Sequence, residues 1–373
     1  MRNKITIFRV FVLVMISGIL IAGCNVKESF PKQTFNLTFA STNPPESMDY
    51  KVRLGWISYL KKASGGRLNI TISSGGQPDQ YLNMVRSKIL DMADFSEVRT
   101  PGLFPLHEVI QLPFMFDTPE CRIAAISQYL LGQKYPELEN EISGVKSWAL
   151  GRRGSFQVFT KNKPVHVLED MKGLRLIIRG TIQSQTTEFL GAIPTDVGDS
   201  MWYKSIEQGL VDGINNNYPS QAYLVKAYEV CNYATEISAC GGGVEQIMNL
   251  EVWNSLPEDL QKLLDDTQLK YINAYGYALD RWSQDAKALI DQSLKDRGYE
   301  GVYILSKNEK ERWIAAVEPV FENWIINVTP IVGEGKARAI LADIKQFSTE
   351  NTLTDAVTQE CESTLREWGV EGY

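Results

Sequence analysis

Residues 34–72 read TFNLTFASTNPPESMDYKVRLGWISYLKKASGGRLNITI, and their pattern decides the fold class. Thr34–Phe39 alternates apolar with polar positions, the period of a strand. Glu46–Ser64 places Met48, Val52, Trp56, Tyr59, Leu60 and Ala63 on one helical face and stops at Gly65-Gly66. Leu68–Ile72 reads as a second strand, Tyr81–Lys88 as a short helix and Leu90–Phe95 as a third strand. Strands alternating with helices predict a mainly parallel sheet covered on both faces.

The same grammar extends along the chain. Thr118-Pro119 offers a cap and a first-turn proline for a helix running to about Leu131. A second block follows, with strands at Gln157–Thr160 and Leu174–Ile178, helices at Ile182–Leu190 and Asp199–Gln208, and a strand-turn at Leu210–Gly213. Beyond it the pattern turns helical. Ser255-Leu256-Pro257-Glu258 and Ser306-Lys307-Asn308-Glu309 both match a capping box. The stretch from the first box to about Asp296 fits one long helix or two. The expected fold class is α/β, two lobes with helices wrapped round them.

The N-terminus carries an export pattern. Arg2, Lys4 and Arg9 stand without an acid, Val10–Ala22 is uncharged and mostly apolar, and Ile21-Ala22-Gly23-Cys24 closes the run. That run is shorter than the roughly 20 apolar residues a spanning helix needs and fits a signal peptide over 1–23. Small residues before a cysteine resemble a bacterial lipobox, which makes Cys24 the expected lipidation site and residues 24–33 its spacer. The mature chain is then extracytoplasmic and lipid-anchored to the membrane.

Removing the three signal cations takes the formal charge from −7 to −10. An acidic chain with 8 Trp, 16 Tyr and 14 Phe lacks the basic surface that nucleic acid demands. Cys121, Cys231, Cys240 and Cys361 form no CxxC pair, and with only 2 histidines a Cys/His metal site is not expected. An exported chain permits disulfides, and Cys231 and Cys240 are the nearest pair; buried free thiols fit equally well. No nucleophile elbow, Walker loop or H-E-x-x-H helix occurs. No catalytic residue, cofactor or metal is therefore expected. A hydrolase using scattered carboxylates and a macromolecule-binding surface lipoprotein stay as rival classes. The glycines of Cys240-Gly241-Gly242-Gly243 lack the Lys-Ser/Thr of a phosphate loop and read as a flexible crossing segment.

Seven segments in order carry a family resemblance: Ser64-Gly65-Gly66-Arg67-Leu68, Leu90-Asp91-Met92-Ala93, Gln111-Leu112-Pro113-Phe114-Met115-Phe116, Leu168–Leu174, Leu190-Gly191-Ala192-Ile193-Pro194, Gln208–Gly213 and Trp253–Pro257. Together they resemble the solute-binding proteins of tripartite ATP-independent periplasmic (TRAP) transporters. The resemblance implies lobes joined by crossing strands, 34–151 with about 236–285 and 152–235 with about 286–373, closing on one small polar solute, usually an organic acid. It also implies membrane carrier subunits as partners, and no catalysis.

In that family an arginine on the strand after the Leu168–Leu174 segment holds the acid. Counted without gaps, that place is Ile177, which cannot pair with a carboxylate. Arg175, Ile177 and Arg179 share a strand face, and Arg179 lies nearer the C-terminal end, where α/β clefts open. Arg179 is the expected replacement, with a surface arginine as the alternative. Asn216, within Asn215-Asn216-Asn217, matches the family's ligand asparagine, although the run could serve only its own turn. Tyr203 and Tyr218 are further pocket candidates, whereas Trp202 suits core packing. Asp94 stands where an apolar residue is expected. It is either an ion-pair partner, for example of Arg99, or a counter-charge that, with or without Glu97, admits an amine-bearing or zwitterionic solute.

Overall fold

The computed structural model describes residues 33–116 and 120–373. The signal segment, Cys24 and the Thr118-Pro119 cap lie outside the described residues.

The chain opens with β1 (Phe35–Ser41), α1 (Met48–Ala63), β2 (Leu68–Ser74), α2 (Tyr81–Arg86) and β3 (Met92–Phe95), close to the spans read from residues 34–95. It continues through α3 (Glu120–Lys134) and α4 (Pro136–Glu141) to β4 (Val145–Ser155) and, after Phe156 alone, β5 (Gln157–Thr160). The next elements are β6 (Arg175–Ile177), α5 (Thr181–Phe189), β7 (Ile193–Thr195), α6 (Trp202–Glu207), β8 (Gly213–Asn216), β9 (Tyr233–Glu236) and β10 (Gly241–Asn249). The rest is helical apart from β11 (Val302–Ile304): α7 (Leu250–Ser255), α8 (Glu258–Asp296), α9 (Lys307–Ala316), α10 (Glu318–Val332), α11 (Glu334–Glu350) and α12 (Asp355–Glu367).

Two sheets result, in the orders β2-β1-β3-β10-β4 and β11-β9-β5-β8-β6-β7. They are mixed rather than mainly parallel. Each keeps the parallel strands read from the sequence, but β10 runs antiparallel to β3 and β4, and β5 antiparallel to β8 and β9. The chain passes directly between the sheets at β4–β5 and at β9–β10, each crossing feeding an opposed strand into a sheet, and passes a third time from β10 to β11 through α8. The glycines after Cys240 thus belong to a paired strand, not a flexible link. Gln157 ties the crossings together, its Oε1 accepting the N–H groups of Ile237 (2.8 Å) and Ser238 (2.9 Å).

Helices cover both faces of both sheets. Trp56, Leu60, Leu260, Leu264 and Tyr275 cluster over one face of the first sheet, and Ala286, Ile290 and Leu294 join Phe159 and Ile214 on the second. Both groups include residues of α8, one unbroken helix of 39 residues; at 1.5 Å per residue it is about 58 Å long and spans both lobes. The expected division gave 286–373 to the second lobe, but Cys361 and Leu365 of α12 pack with Trp56 and Leu60 of the first. Gly151 (φ +78°) lets β4 touch α3, since a Cβ there would lie 2.4 Å from the Ala125 backbone. Asp280 of α8 accepts the first-turn N–H groups of Cys121 (2.8 Å) and Arg122 (3.2 Å), donors that a helix start leaves unpaired.

The two capping boxes part company. Ser306 accepts from the Glu309 N–H and caps α9. Ser255 instead donates to the Val252 carbonyl (2.7 Å), and α8 begins at Glu258 after Pro257, without a side-chain cap. The four cysteines after residue 33 are free and buried.

Candidate functional site

A cavity of about 620 Å³ opens between the two sheets. The first lobe contributes Thr42, Asn43, Asp49, Ser96, Arg99 and Arg153; the second contributes Ile177, Arg179, Asp199, Trp202, Tyr203 and Asn215–Asn217. A smaller cavity of about 250 Å³ in the first lobe, between Tyr129, Glu139, Lys146 and Asp265, contains none of the expected site residues.

Arg179 reaches the cavity from the end of β6, but not as a free charge. It joins Arg99 in an alternating ring with two aspartates, and each lobe supplies one arginine and one aspartate. Arg99 meets Asp79 at 2.7 Å and Asp199 at 3.1 Å, while Arg179 meets Asp199 at 3.2 Å and Asp79 at 3.9 Å. The aspartates are half exposed, so the ring sits at the rim. Arg175, on the same strand face, turns away into a paired contact with Asp212 (3.0 Å). Ile177 lines the cavity where the family pattern has arginine.

Asn216 serves its own turn and also stands in the cavity wall. Its Oδ1 accepts the Asn217 N–H (2.8 Å) and its Nδ2 donates to Ser220 (3.3 Å), yet it also lines the cavity. Its neighbour Asn215 lines the same wall, is 2% exposed, and has no partner within the chain for either amide atom. Tyr203 lines the cavity, and burial together with Glu229 raises its phenol pKa. Trp202, expected in the core, lines it too, with Nε1 donating to the Val197 carbonyl (2.7 Å).

Two candidates fall elsewhere. Tyr218 packs in the second-lobe core edge-on to Phe159 and donates to Glu236 (2.9 Å). Asp94 is fully buried against Arg53 at 2.6 Å, both side chains 0% exposed, with Arg153 at 3.7 Å. Its partner is therefore Arg53, one helical face away in α1, and not Arg99. Ser41 and the Thr42 N–H (both 3.2 Å) donate to its Oδ2. Burial raises the Asp94 pKa, against the lowering pull of Arg53 and Arg153. Glu97 also points inward, beside Glu245, and burial with that like charge raises its pKa.

Arg153 is the cavity residue that the sequence reading passed over. Its Nε bonds Asp49 (2.7 Å) and its Nη2 bonds Thr42 (2.8 Å). Asp49 is itself held by the Tyr275 hydroxyl (2.6 Å). Alternation along β4 sends Arg152 the other way, to Glu120 at 2.8 Å. The signal was adjacent arginines between Gly151 and Gly154, at the end of a strand hidden by those glycines.

Comparison with known proteins agrees with this architecture. The model of the bacterial extracellular solute-binding protein family 7 matches residues 39–327. The C4-dicarboxylate-binding periplasmic protein of Rhodobacter capsulatus is 28% identical over 219 residues, 58% of this chain and 62% of that protein, so the match spans less than two thirds of the relative. The C4-dicarboxylate-binding protein of Bacillus subtilis is 23% identical over 290 residues, 76% of this chain and 79% of its own length. Among solved structures, a TRAP solute-binding protein of Bordetella bronchiseptica with bound mandelate has a TM-score of 0.73 at 21% identity, covering 85% of this chain and 100% of that one. One from Rhodoferax ferrireducens with copurified benzoate has a TM-score of 0.71 at 21% identity, covering 85% and 98%. The crossed two-lobed fold and a family match over most of its length agree: this chain belongs to the bacterial extracellular solute-binding proteins of family 7, the TRAP-type receptors.

Proposed function

We propose that this chain is the extracytoplasmic receptor of a TRAP-type transporter, capturing one small organic acid and passing it to membrane carrier subunits. The observation that carries the reading is the inter-lobe cavity with Arg99, Arg153 and Arg179 in its wall. Guanidinium groups match carboxylates in shape and charge. Asn215 adds a buried amide without a partner in the chain, a group that a bound solute would satisfy. The names of the Rhodobacter and Bacillus relatives, and the mandelate and benzoate of the solved structures, support an acid as the solute class.

One observation favours a second reading, a zwitterionic or amine-bearing solute. Each of the three arginines already faces an aspartate, and Glu46 also lines the cavity. Thermal shift with organic acids beside amino acids separates the two. Stabilisation by acids alone supports the first reading, and stabilisation only by ammonium-bearing solutes replaces it.

The anchor proposal rests on Cys24 and the lipobox-like residues before it. Wild type should fractionate with membranes and Cys24→Ala should be released. Equal release of both would remove the anchor and leave the receptor reading intact.

A further inference from the structure

We infer that the solute is amphiphilic: an acid whose body is an apolar ring, with the acid group toward Arg153 and the ring against the aromatic part of the wall. This rests on the receptor reading above and narrows its ligand. The first lobe supplies Thr42, Asp49, Arg99 and Arg153 to the cavity wall beside Val98 and Val244, and the second lobe adds Arg179, Asp199 and Asn215–Asn217. Aromatic side chains form a further part of the wall, with Trp282 packed against the first-lobe core. All five aromatic lining residues come from the crossing residue, the second lobe or the far half of α8: Phe156, Trp202, Tyr203, Tyr223 and Trp282. Tyr223 and Trp282 stack on one another, with centroids 5.3 Å apart and planes 4° from parallel, and both line the cavity. Tyr223 stands in a π-helical turn, Ser220–Val225, a local distortion frequent at functional sites.

Three further points favour a ring over a short diacid. Ile177, Ile178 and Ile214 put aliphatic side chains behind the wall. Arg99 and Arg179 are engaged by the half-exposed Asp79 and Asp199 at the rim, whereas Arg153, with Thr42 at its side, is held by the buried Asp49 away from that rim. The volume of about 620 Å³ lies within the range of sites that enclose larger organic molecules. Aromatic walls gain from stacking as well as from area removed from water.

Calorimetry of the purified chain with 4-hydroxybenzoate, phenylacetate and succinate tests this, with fluorescence of Trp202 and Trp282 as a second readout. The aromatic acids should bind at least tenfold more tightly than succinate and quench the tryptophans. Tyr223→Leu, which keeps apolar bulk and loses the ring, should weaken them about tenfold with little change in Tm. Ile177→Arg should narrow the gap in favour of succinate. Succinate binding as tightly as the aromatic acids, or a fully folded Tyr223→Leu with unchanged affinity, overturns the inference and leaves the receptor standing. Binding of no acid overturns both.

Discussion

Replacing Asp94 by Ala would separate a structural ion pair from a ligand contact. Asp94 and Arg53 are each 0% exposed and 2.6 Å apart. Arg53 lies over the rings of Phe39 (5.2 Å) and Tyr275 (5.9 Å). Removing one partner leaves a desolvated charge, a loss of about 3–5 kcal/mol. At roughly 2–4 °C per kcal/mol for a large domain, Tm should fall by about 10 °C. Urea unfolding followed by tryptophan fluorescence measures the loss. Arg53→Met combined with Asp94→Leu should recover most of it, because the pair's attraction largely offsets its own desolvation. Below the shifted Tm, Asp94→Ala should still bind solute. A loss under about 1 kcal/mol together with abolished binding would refute the assignment.

Other outcomes follow from the same geometry. Burial pushes the Glu245 and Asp280 carboxyls up to about 7, and His107, held by Glu141 and Glu245 against the lowering effect of burial, is pushed up to about 9. Both acids bind more protons folded than unfolded between their ordinary values and about 7, and His107 loses its contribution as pH rises through about 9, so Tm should fall from pH 5 to pH 8. Glu245→Gln should flatten that slope, and a Tm rising over the range would contradict it. Arg153→Gln should weaken an acid solute at least tenfold and also lower Tm by several degrees, because it strips the buried Asp49 of its ion pair; unchanged affinity below the shifted Tm would move the acid group elsewhere. Asp199→Asn should loosen the rim, raising the radius of gyration of the solute-free protein in small-angle scattering, whereas a value unchanged from wild type would show that the ring does not hold the lobes together.

Elements whose apolar period is unbroken were legible in the sequence. Residues 34–95 and the strand at Gln157–Thr160 emerge within a few positions of their reading, because one pattern there sets both local structure and burial. The crossing strands β4 and β10 were not legible. Glycines at 151, 154 and 241–243 break their pattern; Gly154 takes a positive φ (+107°), and the others make close approaches visible only in three dimensions. At the site, Arg179, Asn216 and Tyr203 line the cavity as expected, since strand ends and turns mark a cleft locally. The partner of Asp94, the place of Tyr218 and the presence of Arg153 were not legible for one reason. Whether a polar side chain faces a cavity or a buried partner depends on Arg53, Glu236 and Asp49, residues 18 to 104 positions away.

The central claim is that the inter-lobe cavity holds one small organic acid. Native mass spectrometry of the purified chain, before and after unfolding and refolding to strip any bound solute, tests it most directly when followed by calorimetry with the released molecule. The account predicts a single small acid per chain, rebound one to one, with Tm raised in its presence and affinity lost in Arg153→Gln. A stripped protein that rebinds no small acid, or one that binds it equally well without Arg153, would contradict it.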